Sequence, residues 1–329
     1  MRAVWDWHMP RQNAEDERRL VEFARAIGFD TLILSSPTPL VMESAHRLGM
    51  RVCAIVTPNV TAEYARNYPD AVQQMLPGED AIAETLSGLD WEDYTAHAHR
   101  WFYPVQLSHL LCFESPQAQD ELRARVNAAL AVADGVAFDG FGFRNHYACY
   151  CPRCQTFREE MAVQQAGRSS DHLLAEMSEA SLVNLSHRLY AHAKGGKADA
   201  LVTNHVWPPF RPNPDYACRL RLDYCSQTIS WFYRPHWSLE RVRFEAQQMK
   251  RLENPARNRF VPFIGLFDQP HLLRTPSRIA GEMTIGLEYG AGGLVFCSLY
   301  TLWRYPEIRQ VVQDALTADT IARIEKGEV

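Results

Sequence analysis

The chain has 329 residues, of which 47% are hydrophobic and 22% are charged. This composition is typical of a globular protein with a sizeable core, and it excludes intrinsic disorder, collagen and coiled coil as the main state. Asp and Glu number 39 against 34 Lys and Arg, which gives a net charge of −5. Because no basic stripe is visible either, nucleic acid is not expected as a partner.

Two further features concern location and assembly. The sequence has no run of about 18 apolar residues, so neither a membrane-spanning helix nor a membrane partner is expected. Residues 1–8 enter a strand-like pattern without an apolar signal segment, so we expect a cytoplasmic protein. A homo-oligomer is compatible with the sequence, which does not define the number of subunits.

Short apolar runs alternate with amphipathic stretches along the chain. Strands are predicted over residues 3–7, 31–34, 51–56, 135–141, 200–205, 228–233, 260–267 and 293–298. Helices are predicted over residues 14–27, 40–48, 117–131, 173–193, 215–224, 239–252, 276–289 and 306–324. Eight strands alternating with helices indicate an α/β fold of the (β/α)8 TIM-barrel type. We therefore expect one domain over residues 1–329, with an inserted segment at about 59–111.

An open, doubly wound sheet is the rival architecture for such an alternating pattern. That fold usually carries a glycine-rich phosphate loop after its first strand. Here the first strand continues as Trp5-Asp6-Trp7-His8, and no GxGxxG motif follows it. The sequence therefore favours the barrel.

Polar and aromatic residues follow the ends of the predicted strands, where barrel enzymes carry their active sites. Two acids stand out as catalytic candidates, because Asp139 ends strand four and Asp268 follows strand seven. Aromatic rings stack on the apolar faces of sugars, while acids and amides bind hydroxyl groups, so this rim predicts a carbohydrate pocket. Packing remains the alternative for any single ring. The candidate substrate contacts are Asp6, His8, Arg144, Asn204, His205, Trp231, Tyr233 and Trp303.

Three cysteines form a compact motif after the fourth strand. Cys149, Cys151 and Cys154 have the spacing C-x-C-x-x-C, with Pro152 inside it. Thiolates at this spacing on one tight turn can converge on a single metal ion, and a tetrahedral structural zinc needs a fourth ligand. A redox pair and unligated thiols remain alternatives. Four scattered cysteines are expected as buried free thiols, namely Cys53, Cys218, Cys225 and Cys297.

A family resemblance rests on residues 107–160. This region contains Cys112-Phe113-Glu114-Ser115-Pro116, an amphipathic helix, a strand ending in an acid, and the cysteine motif. In this order the elements resemble glycoside hydrolase family 42, the β-galactosidases. The resemblance implies a catalytic TIM barrel with one structural zinc, bound here by Cys112, Cys149, Cys151 and Cys154. The sequence around Asp139 also resembles that of uncharacterised glycosidase-like barrels.

The same resemblance gives the two acids their roles. In the family, a Glu at the end of strand four is the acid/base, and a Glu after strand seven is the nucleophile. Asp139 and Asp268 stand at about these places. In several α-glycosidase barrels the strand-four Asp is the nucleophile instead, so the role of Asp139 stays open.

The shorter side chain of Asp also bears on the stereochemical course. Carboxyl groups ~5–5.5 Å apart indicate retention, and ~6.5–9.5 Å leaves room for the water of an inverting enzyme. Two Asp residues facing each other would stand further apart than two Glu residues. The replacement of both Glu by Asp therefore favours inversion or a loss of activity.

These observations predict a glycoside hydrolase that acts on a small glycoside or oligosaccharide. Two alternatives remain from the sequence. One is a catalytically inactive barrel that binds carbohydrate, and the other is a metal-dependent hydrolase that uses Asp6 and His8.

Overall fold

The eight-stranded barrel predicted from the sequence is confirmed. The computed structural model describes residues 1–6, 14–74, 110–140, 149–206, 216–230, 236–270, 272–290 and 293–326. Eight parallel strands pair in chain order, and β8 pairs with β1 to close the barrel. The strands are β1 (Arg2–Asp6), β2 (Thr31–Leu34), β3 (Arg51–Val56), β4 (Gly135–Phe138), β5 (Leu201–Asn204), β6 (Tyr224–Thr228), β7 (Arg259–Gly265) and β8 (Leu294–Cys297).

Helices surround the strands, and several begin where the sequence carries a cap. Thr38, Ser238 and Thr275 each accept a hydrogen bond from the backbone of their helix's first turn. The described helices are α1 (Ala14–Ile27), α2 (Pro39–Arg47), α3 (Ala62–Asn67), α4 (Pro116–Val132), α5 (Pro152–Gln164), α6 (Ser170–Gly196), α7 (Tyr216–Arg219), α8 (Leu239–Leu252), α9 (Pro276–Tyr289), α10 (Leu299–Arg304) and α11 (Pro306–Glu325). No described helix is long and apolar enough to cross a membrane.

The sixth strand lies earlier in the chain than predicted. β6 ends at Thr228, where the prediction began, and the predicted helix 215–224 is reduced to the single turn of α7. The physical reason is that β6 is polar. Ser226, Gln227 and Thr228 are fully buried in the sheet, so the strand lacks the apolar run on which the prediction relied. Residues 231–233 of the predicted strand lie outside the described residues.

Three of the described helices were not predicted, namely α3 in the insertion, α5 and α10. Cys154 is the buried residue of α5, and Phe157 and Met161 are partly buried on the same face, so the apolar stripe of this largely polar helix is short. The six residues of α10 are too few for such a pattern. α5 carries one of the four clustered cysteines, and α10 carries Arg304, the partner of Asp268.

The strands separate two packed regions. Val4, Leu32 and Phe296 belong to the layer between the strands and the helices. Trp5 of β1 and Phe263 of β7 lie with their ring centroids 5.9 Å apart, although β1 and β7 are not neighbours in the sheet. Such a contact runs across the barrel, so these rings fill its interior.

The described part of the predicted insertion is anchored beside α4. It contains α3 and a 3-10 turn at Pro69–Ala71. Isolated antiparallel bridges join Asn59 to Leu110 and Val72 to Leu111. Residues 75–109 lie outside the described residues.

Candidate functional site

Asp139 lies directly after β4, at the C-terminal end of the barrel. Its backbone N–H donates to the Val56 carbonyl at 3.0 Å, which continues the pairing with β3. The N–H of Gly140 donates to Asp139 Oδ1 at 2.9 Å, and Gly140 has a φ of 77°, which favours glycine. The side chain of Asp139 is 16% exposed. A largely buried carboxylate is thus held at the mouth of the barrel.

His205 follows β5, the strand next to β4, and reaches the same carboxylate. Its Nδ1 lies 3.5 Å from Asp139 Oδ1, and its Nε2 lies 2.9 Å from Thr228 Oγ1 at the end of β6. The imidazole stacks on Phe263 with ring centroids 3.8 Å apart and an angle of 18° between the planes. The ring is therefore fixed on three sides by β4, β6 and β7.

Burial decides the charge of this imidazole. Removal from water lowers the pKa of His205, although the neighbouring Asp139 carboxylate raises it. A neutral imidazole has one N–H, and the arrangement in which Thr228 donates to Nε2 leaves Nδ1–H facing Asp139. The contact between His205 and Asp139 is then a hydrogen bond to a carboxylate, not an ion pair.

Asn204 and Asp6 are both used inside the fold. Asn204 Oδ1 accepts a hydrogen bond from the Ser226 backbone at 3.0 Å, which ties β5 to β6. Asp6 ends β1 with only 3% exposure, and its Oδ2 accepts from the Tyr300 N–H at 2.9 Å. Because Tyr300 lies in the first turn of α10, this carboxylate stabilises a helix N-terminus. Asp6 therefore connects the end of β1 to the start of α10.

Asp268 contacts α10, and Trp303 belongs to this helix. Asp268 comes three residues after the end of β7, is 29% exposed and pairs with Arg304 Nη1 at 2.9 Å. Trp303 is 46% exposed, and its ring meets Phe23 of α1 edge to face, with centroids 4.8 Å apart. Trp303 thus packs against an outer helix. Four other expected substrate contacts, namely His8, Arg144, Trp231 and Tyr233, lie outside the described residues.

Three residues of this region were assigned no functional role from the sequence, although Cys297 was correctly expected to be a buried thiol. Thr228 and Phe263 fix the imidazole, and the buried Cys297 ends β8. Burial raises the pKa of Cys297 well above its ordinary value, and the charges of Asp6 and Asp139 raise it further. A correct end for strand six would have singled out Thr228 as a polar residue at a strand tip. Phe263 and Cys297 carry no signal in one sequence beyond that of core residues.

The four cysteines of the predicted metal site lie together. Cys112 Sγ is 3.3 Å from Cys149 Sγ, 3.8 Å from Cys151 Sγ and 3.7 Å from Cys154 Sγ. All four sulfur atoms lie within 4.8 Å of one another, and all four residues are buried. Zn–S bonds of about 2.3 Å in a tetrahedron place the sulfur atoms about 3.8 Å apart. The cluster could therefore hold a metal ion, and its spacing fits tetrahedral coordination.

The acid–base properties of the cluster also favour a cation. Hydrogen bonding with Cys149 raises the pKa of Cys112, while the hydrogen bond with Cys112 lowers the pKa of Cys149. Four thiolates this close together repel one another, so the fully ionised cluster needs a positive charge between its sulfur atoms. A divalent cation supplies that charge.

The segments around the cluster come from both sides of β4. Cys112 donates its backbone N–H to Ala71 at 2.9 Å, and Tyr150 donates to Gln74 at 2.7 Å. Arg158 of α5 donates to the Cys149 carbonyl at 2.8 Å. Met177 of α6 packs on the sulfur atoms. The cluster therefore joins the anchored part of the insertion to α5 and α6.

Comparisons with known proteins add the following. No family model matches the chain, and no curated protein matches it. Among solved structures, the chain is similar to the PgaB (BpsB) glycoside hydrolase domain from Bordetella bronchiseptica, with a TM-score of 0.65 and 14% identity. That match covers 96% of this chain and 98% of the domain.

Two β-galactosidases share the same architecture. The enzyme from Marinomonas ef1 has a TM-score of 0.66 and 10% identity, over 99% of this chain and 60% of that one. The enzyme from Halorubrum lacusprofundi has a TM-score of 0.64 and 13% identity, over 97% of this chain and 58% of that one. The chain thus spans less than two thirds of these β-galactosidases. These matches, all at 14% identity or less, show a shared barrel fold.

Proposed function

We propose that this protein is a glycoside hydrolase that cleaves a small glycoside or oligosaccharide at the C-terminal face of its barrel. The observation that carries the proposal is the placement of Asp139. A carboxylate that is 16% exposed ends a barrel strand, accepts the Gly140 N–H and faces a buried imidazole. Hydrolysis breaks the bond between the anomeric carbon and the leaving oxygen, which takes a proton from an acid, and water adds at the anomeric carbon.

The contacts of Asp139 favour its use as the anionic partner of the reaction. The N–H groups of Gly140 and of neutral His205 both face the Asp139 carboxylate, which therefore acts as a hydrogen-bond acceptor. An ionised carboxylate offers only acceptors. Asp139 therefore suits the nucleophile or the general base better than the acid.

Asp268 is the proposed second carboxylate. Its carboxylate contacts Arg304 at 2.9 Å, so this ion pair must open before Asp268 can reach the leaving oxygen. Arg304 is half exposed and lies on the short helix α10. A sugar bound between Asp139 and Asp268 would open this ion pair, because sugar hydroxyl groups can replace the Arg304 guanidinium as hydrogen-bond partners of Asp268.

The metal of the cysteine cluster is proposed to be zinc. Cys112, Cys149, Cys151 and Cys154 would hold it, since four sulfur ligands at tetrahedral spacing are typical of structural zinc. Four thiolates leave no open position for water or substrate. Bound zinc would therefore supply structural stability and no step of the hydrolysis.

A matched pair of variants tests the proposed activity. The parent protein is assayed on a panel of nitrophenyl glycosides and short oligosaccharides, with sugar binding followed by calorimetry. Asp139→Asn keeps the size of the side chain and should lower turnover by ~10²–10⁴. Asp120→Asn removes a carboxylate that is 70% exposed on α4 and should leave turnover unchanged.

Two outcomes would contradict the proposal. Full turnover in Asp139→Asn removes that residue from the reaction. Sugar binding by the parent protein without cleavage of any glycoside indicates the inactive carbohydrate-binding barrel instead.

A further inference from the structure

A second concave region lies at the opposite end of the barrel from Asp139. A cavity of about 460 Å³ opens where β3, β5, β6 and β7 begin, and Arg51, Leu201, Tyr224 and Arg259 at these strand starts line it. Because the strands are parallel, their starts and their ends lie at opposite faces of the barrel. Ligand binding here is therefore independent of the proposed catalytic face.

The charges around this cavity are mostly positive. Its lining contains five basic side chains and two carboxylates, listed here in full as Arg51, Lys194, Arg221, Arg257, Arg259, Asp199 and Asp223. The excess of three positive charges contrasts with the net charge of −5 for the chain. A concave surface of one sign concentrates the electrostatic potential and attracts anions.

One of the two acids is already neutralised within the fold. Asp223 Oδ2 accepts from Lys194 Nζ at 2.8 Å and from the Val202 backbone at 2.8 Å. Its Oδ1 accepts from the Tyr190 hydroxyl at 3.1 Å. Asp223 and Lys194 therefore form a fixed pair in the wall, which leaves four arginines and Asp199 as the other charged side chains of the lining.

Three of the arginines are held in place by carbonyl groups. Arg51 donates to Asp199 O at 2.7 Å, Arg221 to Ala256 O at 2.6 Å, and Arg257 to Arg219 O at 3.0 Å. A carbonyl fixes the guanidinium without neutralising its charge, and a guanidinium has five N–H donors. These side chains therefore keep their charge and several N–H donors for a ligand. Because the carbonyl contacts already restrict them, ligand binding would cost little further side-chain entropy.

Arg259 differs from the other three. Within the part of the chain that the structure describes, its guanidinium makes no hydrogen bond or ion pair, and the residue is exposed at the edge of the cavity. An arginine that only stabilises the fold would be expected to contact a backbone or carboxylate oxygen. Arg259 has no such structural role in the described contacts.

We propose that this cavity binds a small anion that carries a phosphate group. Arginine binds phosphate oxygens with paired N–H donors, and a phosphate offers oxygens in three directions to donors from separate strands. Its charge of about −2 near neutral pH matches the positive excess better than a single carboxylate does. The cavity volume leaves room for a small organic group beside the phosphate.

Calorimetric titration at constant ionic strength tests the proposal with three phosphate probes, namely inorganic phosphate, glucose 6-phosphate and tripolyphosphate, and with citrate as the carboxylate comparison. The parent protein should bind at least one of them saturably with one site per chain. Arg259→Gln removes charge but no described contact, and it should weaken binding about tenfold, as expected for loss of one charge-assisted hydrogen bond. Arg51→Gln should act in the same direction.

Two controls separate this cavity from other anion sites. Arg123→Gln removes an exposed arginine on α4 that pairs with Asp120, and it should leave binding unchanged. Asp139→Asn should also bind the probes like the parent, which makes the result independent of the proposed hydrolase activity. The absence of saturable binding, equal binding by Arg259→Gln and the parent, or tighter binding of citrate than of every phosphate probe would each overturn the proposal.

Discussion

The imidazole Nδ1 of His205 lies 3.5 Å from Oδ1 of Asp139, at the ends of two neighbouring strands. The other ring nitrogen lies 2.9 Å from the Thr228 hydroxyl on the next strand. Three consecutive strands thus contribute one residue each to a buried polar chain that ends on the candidate catalytic carboxylate. The position of Asp139 should depend on Thr228, although Thr228 need not touch substrate.

Thr228→Val tests this dependence. The variant keeps the shape of the side chain but removes the donor to His205 Nε2, and a buried polar group left without its partner costs about 1–3 kcal/mol of stability. Turnover should fall together with the free energy of unfolding measured in urea.

Thr203→Val is the matched control, because Thr203 is fully buried in β5 and its hydroxyl has no hydrogen-bond partner in the described structure. That variant should be as stable as the parent or more stable. If Thr203→Val and Thr228→Val have the same effect, the contact between Thr228 and His205 has no special role.

The charge of His205 predicts a pH dependence of stability. Burial lowers the pKa of His205 below its ordinary value of 6.5, so the unfolded chain binds a proton more readily than the folded protein. Stability from this residue is present above pH 6.5 and is lost as the pH falls towards the folded pKa. Urea unfolding at pH 7.5 and at pH 5.5 should therefore show a larger loss for the parent than for His205→Asn.

His187 provides the internal comparison for this experiment. Its side chain is exposed, but partial removal from water and the charge of Arg257 lower its pKa, so the His205→Asn variant keeps a smaller acid sensitivity from this second histidine. His187→Asn should remove that part alone. An identical pH dependence for the parent and His205→Asn would show that His205 is not buried in its neutral form.

Much of the fold could be predicted from the sequence, because apolar strand residues such as Val4 and Leu32 face a continuous layer of helices. The sixth strand could not, since Ser226 and Gln227 are buried where a polar run usually indicates a loop. Three members of the cysteine cluster, Cys149, Cys151 and Cys154, could be predicted from their spacing, whereas Cys112 was predicted only through the family resemblance. The partners of Asp139 and Asp268 could not be predicted, because His205 and Arg304 lie far from these acids in the sequence.

Asp268 and Arg304 allow the catalytic and structural roles of the second acid to be separated. Asp268→Asn should lower turnover by ~10²–10⁴ if the carboxylate takes part in proton transfer. Arg304→Gln breaks the same ion pair but leaves the carboxylate, and it should hardly change the thermal unfolding midpoint because the pair is partly exposed. Steady-state kinetics and thermal unfolding of both variants provide the comparison. Equal, small losses of turnover in the two variants would show that only the ion pair matters.

The cysteine cluster gives a prediction that does not depend on the activity. Protein purified without a histidine tag should contain about one zinc per chain by elemental analysis, because four buried thiols stand at tetrahedral spacing. Cys112→Ser removes the ligand that connects the segment before α4 to the motif at the start of α5. Zinc content should fall below about half an equivalent, and stability should fall with it, because the free energy of metal binding contributes to folding.

Cys218→Ala is the control for this experiment, since Cys218 is also buried but lies in α7, outside the cluster. It should keep its zinc. The proposed hydrolysis uses no metal, so a chelator that removes zinc should lower turnover only as far as it unfolds the protein, and circular dichroism should follow the same course. A parent protein with little zinc, together with a Cys112→Ser variant as stable as the parent, would show that the four cysteines are unligated thiols.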